Sequence, residues 1–459
     1  MWLGAAVILL GWTAAAVAAE PKPSQRPPNI LWIITDDQRP DSLACYNRAV
    51  TGKAESPLGY VESPNWDRFA AEGVLFTHAF CNSPGCAPSR ASMHTGQYPH
   101  HNGIYGFDRA HNRADICRPT VPQILREQGY LTARFGKLGV RINEWGPGLT
   151  WNDPGHYTVN VDMDRDLARN GITDFLKQGI WKKGGVVGTK EHWFFPDGSH
   201  VEYYVERTDE PLSDDDLQAR RDVEQRLHIL RSYTRQLSLL VIGGESPQGS
   251  DGTLDAHIEQ AFEEFLGSED AADDKPVFVH LGFHFPHTPV LVPKEWRDRF
   301  ADKTYRVPEF SKKELERLPP QLVTLYEKMK IDELKPEEKQ QAIRDYYAFC
   351  AYGDWLLGKA VDRFKEYCRA RNEDYLIVIA CGDHGWHLGE NGYEAKFGPY
   401  RMSNQCAVVA ISSRGEFPAG TVCDRYVEYV DFAPTFLQAA GMDVHGDDYA
   451  YLDGLPLQE

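Results

Sequence analysis

Several short apolar runs rich in β-branched residues stand out along the chain, each bounded by turn-forming residues. They are Ile30–Ile34, Val277–Gly282, Tyr375–Ala380 and Ala407–Ile411. Their hydrophobic residues are continuous rather than alternating, which is typical of strands buried on both faces of a sheet. A further short extended stretch is predicted over Tyr130–Phe135.

Helical patterns lie between these runs, over Val121–Gln128, Leu217–Leu240, Leu254–Leu266 and Gln340–Arg369. Alternating strands and helices predict an α/β fold in which one large, mostly parallel β-sheet is sandwiched between helices. The segment 143–198 is rich in Gly, Trp and Asp without a clear period. We expect it to form irregular loops over the active face, where substrate-selecting loops usually lie.

The composition fits a folded, acidic protein. The chain has 459 residues, of which 42% are hydrophobic and 25% charged; these are globular values, and the length suits one large domain or two ordinary ones. A formal net charge of −18 argues against a nucleic-acid partner, because phosphate neutralisation needs a basic surface. A local basic pocket for an anionic substrate remains compatible with this charge.

The N-terminal residues 1–19, MWLGAAVILLGWTAAAVAA, are apolar and end in small residues. This pattern predicts a signal peptide cleaved after Ala18 or Ala19, the alternative being an uncleaved membrane anchor. Residues 20–28 then form a linker, and 29–459 contain no second long apolar run. We therefore expect an exported protein, periplasmic or extracellular, without a stable membrane span in its mature form.

Polar residues follow the predicted strands at equivalent positions. They are Asp36 and Asp37 after the first, His284 and His287 after the second, Asp383 and His384 after the third, and Lys137 after Tyr130–Phe135. In open α/β sheets ligands bind beyond the carboxyl ends of the strands, so these side chains are expected to meet.

Three of these residues, Asp36, Asp37 and Asp383, are suited to one hard divalent cation. Oxygen ligands favour Ca²⁺ over Zn²⁺, and His384 would be an atypical addition to a Ca²⁺ site. Lys137, His287 and Lys396 would supply the positive, donor-rich wall that an anionic ester requires.

Cys86 lies in the stretch NSPGCAPSRASMHTG at 82–96. Pro88 suits the first turn of a helix, which would place Cys86 at a helix N-terminus, where free N–H groups stabilise an anion. The residues leave four possibilities open: a disulfide partner, a metal ligand, a thiolate nucleophile or a residue converted after synthesis. The chain has nine cysteines, an odd number that leaves one unpaired in an exported protein and the pairing of the others open.

Cys86-Ala87-Pro88-Ser89-Arg90 resembles the C-x-P-S-R signature of sulfatases, whose cysteine is oxidised to formylglycine. Other blocks resemble that family in the same order, and together they cover almost all of the chain. They are NILWIITDDQRPDSL at 29–43, GYLTARFGK at 129–137, KPVFVHLGFHFPHTP at 275–289, GDHGWHLGENGYEAK at 382–396 and YVDFAPTFLQAAG at 429–441. The third and fourth blocks are most similar to the iduronate-2-sulfatase-like branch.

The resemblance implies an alkaline-phosphatase-like sulfatase fold over 29–459 and a formylglycine made from Cys86 by a formylglycine-generating or anaerobic sulfatase-maturing enzyme. Its hydrated form would attack the sulfur of the ester. The family pattern further implies a set of residue roles: one Ca²⁺ held by Asp36, Asp37, Cys86, Asp383 and His384, Arg90 orienting the hydrate, Lys137 and Lys396 binding sulfate, and His287 protonating the leaving alcohol.

Three departures from the family pattern are visible. The His that usually follows the Lys of the G-K motif is absent after Lys137, and His156 is a candidate replacement. Phe285 stands where the iduronate-type branch commonly has Lys. The chain ends in LDGLPLQE, where a small C-terminal β-subdomain normally follows, so that subdomain is expected to be cut short.

The resemblance therefore predicts a sulfuric-ester hydrolase that acts on a sulfated sugar or polysaccharide. A phosphonate or phosphodiester hydrolase is the first alternative, because relatives with the same motif act on phosphorus. A non-catalytic binder of sulfated glycans is the second, motivated by the missing His and the short C-terminus.

Overall fold

The computed structural model describes residues 26–107, 118–142, 155–161, 173–232 and 240–459. The predicted signal peptide, most of the predicted linker and parts of 143–198 lie outside the described residues. Among those described, no helix is both long enough and apolar enough to cross a membrane.

Strands account for the centre of the molecule. In chain order they are β1 Asn29–Asp36, β2 Val74–Phe80, β3 Leu131–Gly136, β4 Val159–Val161, β5 Phe175–Lys182, β6 Gly185–Phe194, β7 His200–Arg207, β8 Leu230–Ser232, β9 Leu240–Gly243, β10 Val277–Pro286, β11 Tyr375–Cys381, β12 Gln405–Ser412 and β13 Thr421–Glu428.

Helices cover the sheet. They are α1 Ala44–Thr51, α2 Pro64–Glu72, α3 Cys86–Thr95, α4 Pro99–Asn102, α5 Val121–Glu127, α6 Asp214–Arg226, α7 Leu254–Leu266, α8 Glu269–Ala272, α9 Lys294–Asp298, α10 Pro320–Met329, α11 Pro336–Arg371, α12 Arg401–Asn404 and α13 Phe432–Ala439.

The main sheet has eight strands in the order β13-β2-β12-β11-β1-β10-β3-β4. β1 pairs in parallel with both β10 and β11, and β3 continues this parallel half beyond β10. β12 is antiparallel to both of its neighbours. The prediction of a large, mostly parallel sheet is confirmed, and the four apolar runs all lie in its strands.

Both faces of the sheet are covered, as the continuous apolar runs predicted. Leu31 and Ile33 of β1 point into one core, which α7 and α11 complete. Trp32 and its neighbours at alternate positions point into a second core with Phe432 and Phe436 of α13. Because alternate side chains of a strand point to opposite faces, β1 contributes equally to both layers.

Two local predictions are wrong. The described part of 143–198 contains β5 and β6, which form an antiparallel sheet with β7. Trp193 and Tyr203 face a small core of their own there, a half-buried pattern that frequent Gly and charged residues disguise. The predicted helix Leu217–Leu240 ends at Arg226, since His228 adopts a positive φ of 53° and β8 begins at Leu230.

Candidate active site

Cys86 is the first residue of α3, as the position of Pro88 predicts. Gly85 precedes the helix in an extended conformation and offers no side chain to cap it. The free N–H groups of the first helical turn are therefore available to a group bound beside Cys86. The dipole of the helix favours negative charge at this point. The Cys86 side chain is buried, with 4% of its surface exposed.

The predicted carboxylates converge on Cys86. Its Sγ lies 3.5 Å from Oδ1 of Asp36 at the end of β1 and 3.3 Å from Nε2 of His384, which follows β11. The same His384 nitrogen lies 3.3 Å from Oδ1 of Asp37 and 3.4 Å from Oδ1 of Asp383. Each of the five residues offers one ligand atom, and these five atoms all lie within 4.8 Å of one another. The parallel pairing of β1 with β11 brings these strand ends to one edge.

Three cations stand against the three carboxylates. Nζ of Lys396 lies 2.7 Å from Oδ1 of Asp37 and 3.0 Å from Sγ of Cys86. Lys137 forms an ion pair with Asp36. Arg90 donates from Nε to Oδ2 of Asp383 over 2.8 Å, with both side chains fully buried. The paired charges explain how this much acid is accommodated in the interior.

The electrostatics of the buried groups follow from this pairing. Burial by itself raises the pKa of the Asp36 carboxyl, but the charges of Lys137, His287 and Arg90 outweigh it and hold that pKa well below its usual range. Burial, together with Asp36 and Asp383, raises the pKa of the Cys86 thiol to about 12. The unmodified cysteine is therefore a neutral thiol at neutral pH, not an activated thiolate.

His287 lies at the more open side of the cluster. It follows β10, its side chain is 30% exposed, and Nε2 lies 3.7 Å from Oδ2 of Asp37. Its Nδ1 donates to the carbonyl oxygen of Thr288 over 2.5 Å, which fixes the ring orientation and leaves Nε2 directed at the cluster. The structure thus brings together the five predicted metal ligands with Arg90, Lys137, His287 and Lys396.

Contacts of three supporting residues were not predicted from the sequence. Asp255, in the first turn of α7, accepts hydrogen bonds from the N–H groups of His284 and Phe285, over 2.7 and 2.9 Å. The hydroxyl of Tyr346 on α11 donates to the carbonyl of Asp37 over 2.7 Å. Ser89 was visible in the C-x-P-S-R pattern, but its bond to the carbonyl of Asp383 was not.

Two of the departures can be located. His156 is buried and bonded through Nδ1 to Thr120 and through Nε2 to the carbonyl of Ile142, so its ring is committed away from the five-residue cluster. Phe285 is fully buried and contacts α11, where a Cβ added at Gly353 would lie 2.0 Å from its ring. It serves the core rather than the site.

The family follows from comparison with known proteins. A sequence model of the family described as Sulfatase matches residues 28–442. A sulfatase of Formosa agariphila is 24% identical over 433 residues, covering 92% of this chain and 71% of the relative. Iduronate 2-sulfatase of Mus musculus is 25% identical over 458 residues, covering 91% of this chain and 69% of its own.

Solved structures share the fold. Phosphonate monoester hydrolase of Agrobacterium radiobacter has a TM-score of 0.62 at 20% identity, covering 94% of this chain and 76% of its own. A structure in complex with its substrate D-glucosamine-2-N,6-O-disulfate has a TM-score of 0.56 at 20% identity, covering 94% and 80%. With the family model matched over most of its length, this chain belongs to the sulfatase family and is a sulfuric-ester hydrolase.

Proposed function

We propose that the protein removes sulfate from a sulfated sugar or polysaccharide at the Cys86 cluster. The observation that carries this proposal is the convergence of five possible ligands, Asp36, Asp37, Cys86, Asp383 and His384, in one buried set. The names of two relatives support a sugar substrate: iduronate 2-sulfatase, and an N-acetylglucosamine-6-O-sulfatase of Bacteroides thetaiotaomicron, which is 24% identical over 466 residues.

The donor set fits a bound Ca²⁺. Three of the five residues are carboxylates, the ligands that this hard cation prefers. Oδ2 of Asp37 is buried and has no hydrogen-bond partner among the described residues, as expected of an oxygen reserved for a cation. Asp36, Asp37, Asp383, His384 and the modified Cys86 would hold the ion, which would supply positive charge to the nucleophile and the sulfate oxygens.

The charge balance of the cluster also favours an anionic ester. Arg90, Lys137 and Lys396 offset the three carboxylates, so a divalent cation would bring an excess of two positive charges to the site. A sulfate monoester brings one negative charge to this excess. Release of the two lysines from their carboxylates on cation binding would let both ammonium groups contact sulfate oxygens.

Cys86, converted to formylglycine by a maturing enzyme, would provide an aldehyde hydrate as the nucleophile. The chain contributes its surroundings: Lys396 lies 3.0 Å from the reacting side chain, and the N-terminus of α3 favours the developing negative charge. Arg90 is anchored by Asp383 and by the carbonyl of Lys137 at 3.1 Å, which holds its guanidinium against the reacting residue. His287 faces the open side, and it would protonate the leaving alcohol from Nε2 as an imidazolium, the form that an anionic ester in the site would favour.

We further propose that residues 1–19 direct export, that 29–459 form the catalytic domain, and that the enzyme works in the periplasm or outside the cell. N-terminal sequencing of the secreted protein tests this. Export is supported if the mature chain begins near Glu20, and it is excluded if the chain retains Met1 and stays inside the cell.

The test of function compares protein produced with and without a formylglycine-generating enzyme. We expect peptide mass spectrometry across 82–90 to show an aldehyde at Cys86 only in the first sample, and sulfate release from sulfated monosaccharides only there. A matched assay with a phosphonate monoester separates the phosphorus alternative. Faster phosphonate cleavage, or glycan binding without turnover by converted protein, would contradict the proposal.

A further inference from the structure

A second cluster of metal-binding side chains lies on the small sheet of β5, β6 and β7. Nδ1 of His192 on β6 lies 3.1 Å from Nε2 of His200 and 3.2 Å from Oε2 of Glu202, both on β7. Each of the three residues offers one donor atom, and these three atoms all lie within 4.8 Å of one another. None of these residues contacts the Cys86 cluster through any bond the structure shows.

The strand register places the three side chains together. His192 is paired directly with Glu202, and His200 is paired with Phe194, two residues further along β6. Because successive side chains alternate between faces, His192, His200 and Glu202 share one face of the sheet. The opposite face carries Trp193 and Tyr203 into the small core, so the cluster lies on the outward face.

The orientation of His192 is fixed for ligation. Its Nε2 lies 3.0 Å from Oε1 of Gln178 on β5, an acceptor that holds the ring proton on Nε2. Nδ1 therefore presents its lone pair to His200 and Glu202. An outer hydrogen bond of this kind, which sets the tautomer of a ligating histidine, is the usual companion of a metal site.

The ring of His200 is held as well. It stacks on Phe194, with ring centroids 4.7 Å apart and an interplanar angle of 10°. Its Nε2 is thereby directed across the strands at His192 rather than at solvent.

The distances between the three donor atoms suit a transition-metal or zinc ion. Bonds of about 2.0–2.1 Å to nitrogen and oxygen place neighbouring donors about 3–3.4 Å apart around a zinc ion, and the two distances from His192 Nδ1 are 3.1 and 3.2 Å. Two imidazoles and one carboxylate favour Zn²⁺, Cu²⁺ or Ni²⁺ over Ca²⁺. We propose that His192, His200 and Glu202 form a zinc site that joins β6 to β7 and leaves a coordination position open to water.

Lys190 sets the strength of this site. Its Nζ lies 2.5 Å from Oε1 of Glu202, so that oxygen is occupied and only Oε2 is available to the metal. The ammonium group also repels a cation at short range. We therefore expect a moderate affinity that increases when the lysine is removed.

The experiment uses the full-length protein, saturated with Ca²⁺ so that the Cys86 cluster is filled. Titration calorimetry with Zn²⁺ should detect one bound zinc ion per chain, and electron paramagnetic resonance with Cu²⁺ should show coupling to two imidazole nitrogens. His200→Gln, at an exposed position, should weaken zinc binding more than about 100-fold, since loss of an outer partner alone costs about 10- to 100-fold.

Two further variants and a control make the assignment specific. Gln178→Met should weaken zinc binding about 10-fold, whereas Lys190→Met should tighten it. His445→Gln removes an exposed imidazole at the other end of the chain and should leave zinc affinity unchanged. Absence of a zinc site under Ca²⁺ saturation, or unchanged zinc affinity in folded His200→Gln protein, would overturn the proposal.

Discussion

The protein carries histidine and carboxylate donors in two regions that differ in burial and in charge compensation. The Cys86 cluster gathers Asp36 from the end of β1 and Asp383 and His384 from the end of β11, all with no exposed surface. Its acids are paired with the fully buried Arg90 and with Lys137, whose side chain is 21% exposed. The cluster on the small sheet draws on two adjacent strands, and the Glu202 side chain is 43% exposed.

The two sites derive their rigidity from different sources. In the interior, Arg90, Lys137 and Lys396 are paired with the three carboxylates, so each member of the cluster depends on the others. On the small sheet, water solvates the carboxylate, and the donors are aligned by strand register together with the contacts of Gln178 and Phe194. Changes to single residues should therefore lower the free energy of unfolding strongly at the first site and only weakly at the second.

The largest effect is expected from removal of the proposed nucleophile. Cys86→Ala should lower sulfate release by about 10⁴-fold or more, because loss of a covalent nucleophile removes the reaction route itself. Cys368→Ala, which removes another buried thiol on α11, serves as the matched control and should retain activity. Equal losses in the two variants would show that the effect is one of packing.

The second prediction compares a buried acid with an exposed one. Asp383→Asn leaves the fully buried Arg90 without its partner and should lower the free energy of unfolding by about 3–5 kcal/mol. Glu202→Gln, measured with chelator present, should lower it by less than about 1 kcal/mol, because exposed ion pairs contribute little. Urea unfolding of both variants provides the measurement, and similar values would remove the distinction between the two regions.

The sequence predicted four doubly buried strands but missed the interior strand β2, whose apolar run Thr77 and His78 interrupt, and the edge strand β13. β1, β10, β11 and β12 are buried on both faces and were recognised from continuous apolar runs. β13 was missed because it is an edge strand whose exposed residues, such as Asp424 and Arg425, interrupt the pattern.

The site was predicted as a set of residues but not as a network. Residues after strand ends could be found because parallel strands bring their carboxyl ends to one edge. The choice of partner, such as Lys137 with Asp36 and Lys396 with Asp37, depends on packing between distant segments. Asp255 reads in the sequence as an ordinary acidic residue in a first helical turn, so its support of the His284–His287 segment has no local signal.

The third prediction concerns the pH dependence of stability that the buried imidazole of His156 causes. Burial lowers the pKa of His156 to about 4, so between pH 6.5 and 4 the unfolded chain binds a proton that the folded chain excludes. Stability from this group is fully present above pH 6.5 and is lost as pH falls toward 4, by up to about 3 kcal/mol. In urea titrations across this range, His156→Gln should show a shallower loss than the wild-type protein. An identical slope would mean that the ring is protonated in the fold.

The smallest effect is expected at an exposed side chain of the small sheet. Trp181 on β5 is 74% exposed, and Trp181→Ser should change the free energy of unfolding by less than about 0.5 kcal/mol. Trp193→Ala, on the buried face of the same sheet, should lower it by about 3–5 kcal/mol. The Trp181 variant should also release sulfate from a monosaccharide at the wild-type rate. If the variant's kcat/KM were lower for a sulfated polysaccharide but unchanged for the monosaccharide, the small sheet would contact the substrate. The two regions would then act on the same glycan chain and could not be treated as independent.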